Sequence, residues 1–461
     1  MPKSSHHKSI LDNLLLCIGI AALITTAIQY PLSTTFPIGG DAAPHIATVQ
    51  DVFTNPIETI FRISYSWYPV SYILFSLNAL NPFVYWPVAF SWWMALGQIA
   101  TGLALGFLVY RLYGIRAAAI SISIWAMTPI TMTSFFEDGT MAQLWSLPWL
   151  LLFIERMHAK SIRGMIFFST LALFSHPITA LLMICTMIMA LPHIPRGILR
   201  KILAWSTIVG TGIAILFLVM RPSTINTPFG PESSKYFTDI FHGFFLPWVL
   251  ASVIGWLELT KTFKKQKLLL VTFASFFVIS FAFAFNDRLG IGFWTNRLNA
   301  YILLCVVLGA GIGLACITKK IALERVAVLI IILLIVALTG STFHDNINIY
   351  KRYESPHTDA RIRPDNLEAI TWINQNLPKD ATITSSTATR YYEWLHVLTT
   401  HTQNFISKSS IDDTNSYNGI KNPYLVIFTN EEGVPDKILH DEMHFHLRFQ
   451  NTGAKIYEVT L

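Results

Sequence analysis

Long apolar runs alternate with short polar ones over roughly the first three quarters of the chain, and the alternation stops near residue 341. Runs long enough to cross or half-cross a bilayer fall at 10–32, 83–110, 117–134, 141–157, 164–175, 178–192, 201–220, 244–259, 268–285, 298–317 and 323–341, about eleven at ~20 residues per full span. The pair 164–175 and 178–192 is short and split by His176-Pro177, which predicts a tilted pair or a broken helix. Trp67 to Leu80 is apolar but short and carries Pro69, with Pro82 just beyond it. It is read as an interfacial or re-entrant segment, because a full span there would invert every later loop.

The polar positions support this count. With a cytoplasmic amino terminus, seventeen Lys and Arg fall in the loops assigned inside, against only Arg62, Arg221, Lys235, Arg288 and Arg297 in the outer loops of the membrane part. That is the bias the positive-inside rule requires. The first apolar run is too long for a typical signal-peptide core and lacks a small-x-small cleavage site, so it is read as a retained span.

The first outer loop then runs from about 33 to 82, with a short surface helix expected over 41–62, Asp41 as its N-cap and Pro44 in its first turn. Past Thr342 polar residues return, and the odd span count puts the tail outside. There Asp365 to Asn376 has a helical pattern, and Ala381 to Ser385, Tyr424 to Thr429 and Lys455 to Leu461 read as strands. The expected fold is an α-helical polytopic membrane module, 1–341, with a small extracytoplasmic α/β domain, 342–461.

Composition agrees: 53% of residues are hydrophobic and 13% charged, values that exclude a soluble fold for the membrane part. The net charge of +6 is spread as short clusters between apolar runs, so nucleic acid is excluded as a partner. All four cysteines lie in apolar runs and imply neither a disulfide framework nor a thiolate metal site.

Candidate chemistry gathers at the outer face. Gly39-Gly40-Asp41-Ala42-Ala43-Pro44-His45 places a carboxylate and an imidazole four residues apart, roughly on one helix face, with Asp51 beyond. Glu137 and Asp138 precede the 141–157 span, His176 stands at the break, and Arg221, Arg288 and Arg297 lie in later outer loops. Each has a structural alternative: Asp41 and Asp138 as helix caps, His176 as a helix boundary, the arginines as partners of Asp287 or of lipid phosphate. The dense aromatics from Tyr65 to Trp93 fit either a headgroup-level belt or a platform for a sugar ring or lipid. What favours function is convergence. A carboxylate can deprotonate a hydroxyl, and a guanidinium can clamp a phosphate and steady its departure. Transfer from a lipid-linked phosphate donor needs both. Asp41 and His45, with Glu137 or Asp138, are also candidate ligands for Mg or Mn, although residues from separate loops make no spacing motif.

Three stretches carry a resemblance: Gly39-Gly40-Asp41-x-x-x-His45; Phe174-Ser175-His176-Pro177-Ile178-Thr179-Ala180; and the tail, with Asn366 to Ile373, Leu377 to Ala381 and Arg390 to Leu395. Together with the layout they resemble the GT-C superfamily of integral-membrane glycosyltransferases. The resemblance implies a polyprenyl-phosphate sugar donor, Asp41 as general base or metal partner, and Arg297 at the donor phosphate. It also implies an enzyme of the plasma membrane whose carboxy-terminal domain faces outward. Two other readings are a non-catalytic scaffold for surface assembly and a flippase or transporter. The latter calls for mid-membrane ionisable groups and repeat symmetry, neither of which is visible in the chain.

Overall fold

The computed structural model describes residues 3–33, 37, 42–54, 69–81, 84–128, 140–193, 197, 200, 204, 208, 246–261, 263–284, 298–321, 323–354, 362–386, 392–429 and 433–460. Helix α1 spans Lys3–Ser33, α2 Ala42–Thr54, and α3 Pro69–Ser76, which ends in a 3-10 turn at Leu77–Leu80. Next come α4 Trp86–Tyr113, α5 Ile115–Ala126, α6 Met141–His158, α7 Ile162–Leu173 and α8 Pro177–Ala190. The helical part closes with α9 Leu246–Lys261, α10 Phe263–Ala284, α11 Asn299–Lys320 and α12 Glu324–Glu354.

Among the described residues, four helices are long and apolar enough to cross a membrane: Ile10–Ser33, Trp86–Tyr113, Asn299–Lys320 and Glu324–Asn348. Shorter apolar helices, Ile115–Ala126, Ile162–Leu173, Pro177–Met189 and Leu270–Ala282 among them, occupy most of the other expected runs. The run at 201–220 lies almost wholly outside the described residues. Two elements end differently from expectation. Helix α5 stops at Ala126, short of the run 117–134, because Thr128 precedes Pro129 and that position disfavours helical backbone. Helix α12 does the opposite and continues past the polar transition at Thr342 to Glu354.

The core helix is α11, buried along nearly its whole length. It lies against α9 through small residues at four-residue spacing on both sides, Ala251 and Gly255 on one helix, Gly309 and Gly313 on the other. A Cβ at Gly255 would overlap the Gly309 carbonyl, and one at Gly313 the Ala251 carbonyl. Without side chains in the seam the backbones close on each other, which supplies packing where lipid gives no hydrophobic drive.

Helix α13, Pro364–Asn376, opens the tail fold, as the pattern over 365–376 predicts. A five-stranded sheet follows, formed by β1 Thr382–Ser386, β2 Thr402–Ile406, β3 Pro423–Ile427, β4 Phe445–Gln450 and β5 Lys455–Val459, in the order β2-β1-β3-β5-β4. Strands β2, β1 and β3 are parallel, β5 is antiparallel to β3, and β4 is antiparallel to β5. Helix α14, Tyr392–Leu398, is the crossover from β1 to β2, and α15, Asp436–His440, precedes β4. The sheet has two packed faces. Ile383, Val426 and Ile456 join α13 and α14 in the core that continues into the membrane helices, while Leu425, Ile427 and Tyr457 form a separate cluster with Tyr417. Tyr417 donates its hydroxyl to the Ile411 carbonyl at 2.7 Å, and burial pushes that phenol's pKa up. All four cysteines are free.

Candidate functional site

Helix α2 is amphipathic. Ala42, Ala43, Ile46 and Val49 are buried in the core, and Pro44 sits in the first turn, where its missing N–H is not needed. This fixes His45, which is also buried. Its Nδ1 lies 2.8 Å from the Tyr72 hydroxyl, and its ring stacks on Phe90 of α4 with centroids 6.3 Å apart.

Tyr72 belongs to α3, part of the segment expected to be interfacial or re-entrant, and α3 joins two motifs far apart in sequence. The Val70 amide donates to the Phe174 carbonyl at 3.2 Å, and the buried Ser71 hydroxyl donates to the Ser175 carbonyl at 3.3 Å. The Phe174-Ser175-His176-Pro177 break is therefore pinned to the helix that orients His45. His176 is extended (φ −158°, ψ 134°) as the N-cap of α8, with Pro177 in the first turn, so the predicted boundary is present and its side chain is buried.

One turn further, Thr179 begins a buried chain of hydroxyls. It meets Ser146 of α6 at 2.5 Å and Tyr301 of α11 at 2.6 Å. At the same end of the bundle Gln29 donates to the Phe343 carbonyl at 2.7 Å and accepts from Asn346 at 3.1 Å, which ties α1 to α12. Such neutral pairs satisfy polar groups that hydrocarbon cannot solvate.

Of the site residues expected from sequence, His45 and His176 are described, and α3 links them. Asp41, Glu137, Asp138, Arg221, Arg288 and Arg297 lie outside the described residues. Asp51, a helix turn and a half beyond His45, meets His396 of α14 with Asp51 Oδ1 2.9 Å from His396 Nε2, a pairing for which the sequence carries no local sign. Among the described residues no three of His, Cys, Asp and Glu gather as a metal site.

No family model matches the chain, and no curated protein matches it. Solved structures do. ArnT from Cupriavidus metallidurans in the apo state superposes with a TM-score of 0.62 at 11% identity over 98% of each chain. The same protein bound to undecaprenyl phosphate gives 0.54 at 11% identity, again over 98% of each chain. The Archaeoglobus fulgidus oligosaccharyltransferase in the apo form gives 0.57 at 12% identity, over 97% of this chain and 74% of that one. At such identities the likeness establishes architecture, and it does so along the whole chain. The chain shares the fold of these two enzymes, a helical module followed by a small sheet domain.

Proposed function

We propose that the protein is a membrane glycosyltransferase that moves a sugar from a polyprenyl-phosphate donor to an acceptor at the extracytoplasmic face of a plasma membrane. In this reading about eleven spans make up residues 1–341, the amino terminus is cytoplasmic, and residues 342–461 form the outer domain. The acceptor hydroxyl or amide gives its proton to Asp41 and forms a bond to the anomeric carbon. The bond from that carbon to the phosphate oxygen breaks, and the polyprenyl phosphate leaves with the electron pair. Arg297, with Arg288 and Arg221, neutralises the leaving phosphate. In this reading His45 of α2, four residues after Asp41 in sequence, joins Glu137, Asp138 and His176 as polar lining.

The observation that carries this reading is the α3 link between the His45 helix and the His176 break. His45 of the first family-like stretch and Phe174-Ser175 of the second both meet α3, in a fold shared with a structure bound to undecaprenyl phosphate. A Mg or Mn ion on Asp41, His45 and Asp138 belongs to the proposal as well; full turnover in excess EDTA would remove it.

Native mass spectrometry of the detergent-purified protein, wild type beside Arg297→Ala, tests the donor. The expected result is a retained polyprenyl phosphate, bare or glycosylated, that is lost in the variant. Bulk phospholipid alone, equal in both proteins, would overturn the assignment.

A further inference from the structure

Helix α2 is held at two places. Near its start His45 meets Tyr72; near its end the carboxy-terminal domain takes hold. Asp51 Oδ1 lies 2.9 Å from His396 Nε2, and the Gln50 side-chain amide donates to the Val397 carbonyl at 3.2 Å. Both partners are on α14, whose Trp394 and Leu395 are buried in the same core that buries Ile46 and Val49 of α2. The contact is thus a packed interface with hydrogen bonds at its edge. The helix that carries the candidate chemistry of the first loop is seated on the tail domain.

We infer that His396 is a positioning residue for the transfer reaction and that the carboxy-terminal domain is a working part of the site, acting through α14 on α2. This inference rests on the transferase reading for its effect on turnover, but not for its effect on α2 itself. Asp51 and His396 are both partly exposed, so the pair adds little to global stability. What it controls is the placement of a short helix, about 20 Å long at 1.5 Å per residue, with His45 one turn from its amino end. A shift of an ångström at a reacting group is enough to reduce a rate roughly a hundredfold.

The test uses the full-length detergent-solubilised protein as wild type, His396→Ala, His396→Gln and the double variant Asp51→Ala/His396→Ala. Glutamine keeps a side-chain N–H donor near the position of Nε2. Three quantities are read: amide exchange across 42–54, retention of undecaprenyl phosphate by native mass spectrometry, and turnover with the glycosylated polyprenyl phosphate that co-purifies. His396→Ala is expected to raise exchange over 42–54 and to lower turnover about ten- to a hundredfold while the lipid stays bound. His396→Gln is expected to recover most of both, and the double variant to lose no more than His396→Ala. Wild-type exchange in α2 of His396→Ala, or wild-type turnover, would overturn the inference; so would failure of His396→Gln to recover either. If the wild-type protein retains no polyprenyl lipid, the transferase reading fails, and the exchange comparison still decides whether α14 holds α2.

Discussion

The two ends of the helix bundle are built from different chemistry. At the end where α5 begins, Arg116 is buried and pairs with Asp12 of α1 at 2.7 Å and Glu324 of α12 at 2.8 Å, with Thr318 of α11 at 3.3 Å. Nearby, the buried Glu155 lies 3.5 Å from Arg111 and 2.8 Å from Arg156, and Glu258 lies 2.7 Å from Lys261 and 3.9 Å from Lys320. At the other end the polar contacts among the described residues are mostly neutral, His45 with Tyr72, Ser71 with Ser175, Gln29 with Asn346 and the Ser146–Thr179–Tyr301 chain, with one carboxylate, Asp51, on His396. The first end fastens four helices with formal charges, and the second is tied by hydroxyls, amides and imidazoles.

This contrast breaks most readily at Arg116. Arg116→Ala leaves Asp12 and Glu324 partly buried without their cation, and is expected to destabilise the protein by about 3–5 kcal/mol. Thermal unfolding in detergent reads this, and a wild-type melting temperature would show that the ion pairs do not fasten that end. At the opposite end His45→Gln is expected to lower turnover by about a hundredfold or more while stability changes by only about 1 kcal/mol. A variant that unfolds while the residual folded fraction keeps its turnover would make His45 a structural residue. Tyr72→Phe is a smaller step. It removes the hydroxyl beside His45 Nδ1, with an expected loss of about 0.5–1.5 kcal/mol of stability and a partial loss of turnover. Turnover equal to wild type would detach α3 from the site.

The smallest effect lies in the tail domain. The hydrogen bond from His444 holds the Asp441 carboxyl below the usual carboxylate range. A depressed folded value stabilises the native state above the unfolded carboxyl pKa of about 3.9 and ceases to do so as pH falls through the folded value. His444→Ala should therefore lower the tail's melting temperature slightly at pH 7, and the gap should close on acidification. Asp441 is exposed enough that a gap of several degrees would mean another interaction had been lost.

Periodicity and punctuation made the elements legible. His176-Pro177 reads as a helix start and is one, and β1, β3 and β5 stand within two residues of the expected strands, because each buries side chains on both faces. Strands β2 and β4 escaped notice. Both are outermost strands; β2, Thr402-Gln403-Asn404-Phe405-Ile406, alternates only weakly, whereas β4, Phe445-His446-Leu447-Arg448-Phe449-Gln450, alternates strictly and was legible as a half-buried strand. His45 was legible as a residue of a first-loop helix and His176 as a helix boundary, but the contacts that join them were not. Nothing near Asp51 announces a partner 345 residues away, and nothing in Pro69–Ser76 indicates that its backbone amide and a serine hydroxyl meet the Phe174-Ser175 carbonyls. Such contacts are set by packing of whole elements, and single-sequence patterns carry no term for them.

The break at His176 also has a bearing on the lipid. Helices α7 and α8 have 12 and 14 residues, about 18 and 21 Å at 1.5 Å per residue, against a hydrocarbon layer of about 30 Å. Ile166 and Phe167 of α7 expose apolar side chains, an apolar wall shorter than the full hydrocarbon layer. Hydrophobic mismatch of this size draws the leaflets together around the short pair. In the proposed transferase, that thinning would set headgroups beside α7 and α8 deeper than elsewhere on the perimeter, and a lipid-borne phosphate nearer the level of His176.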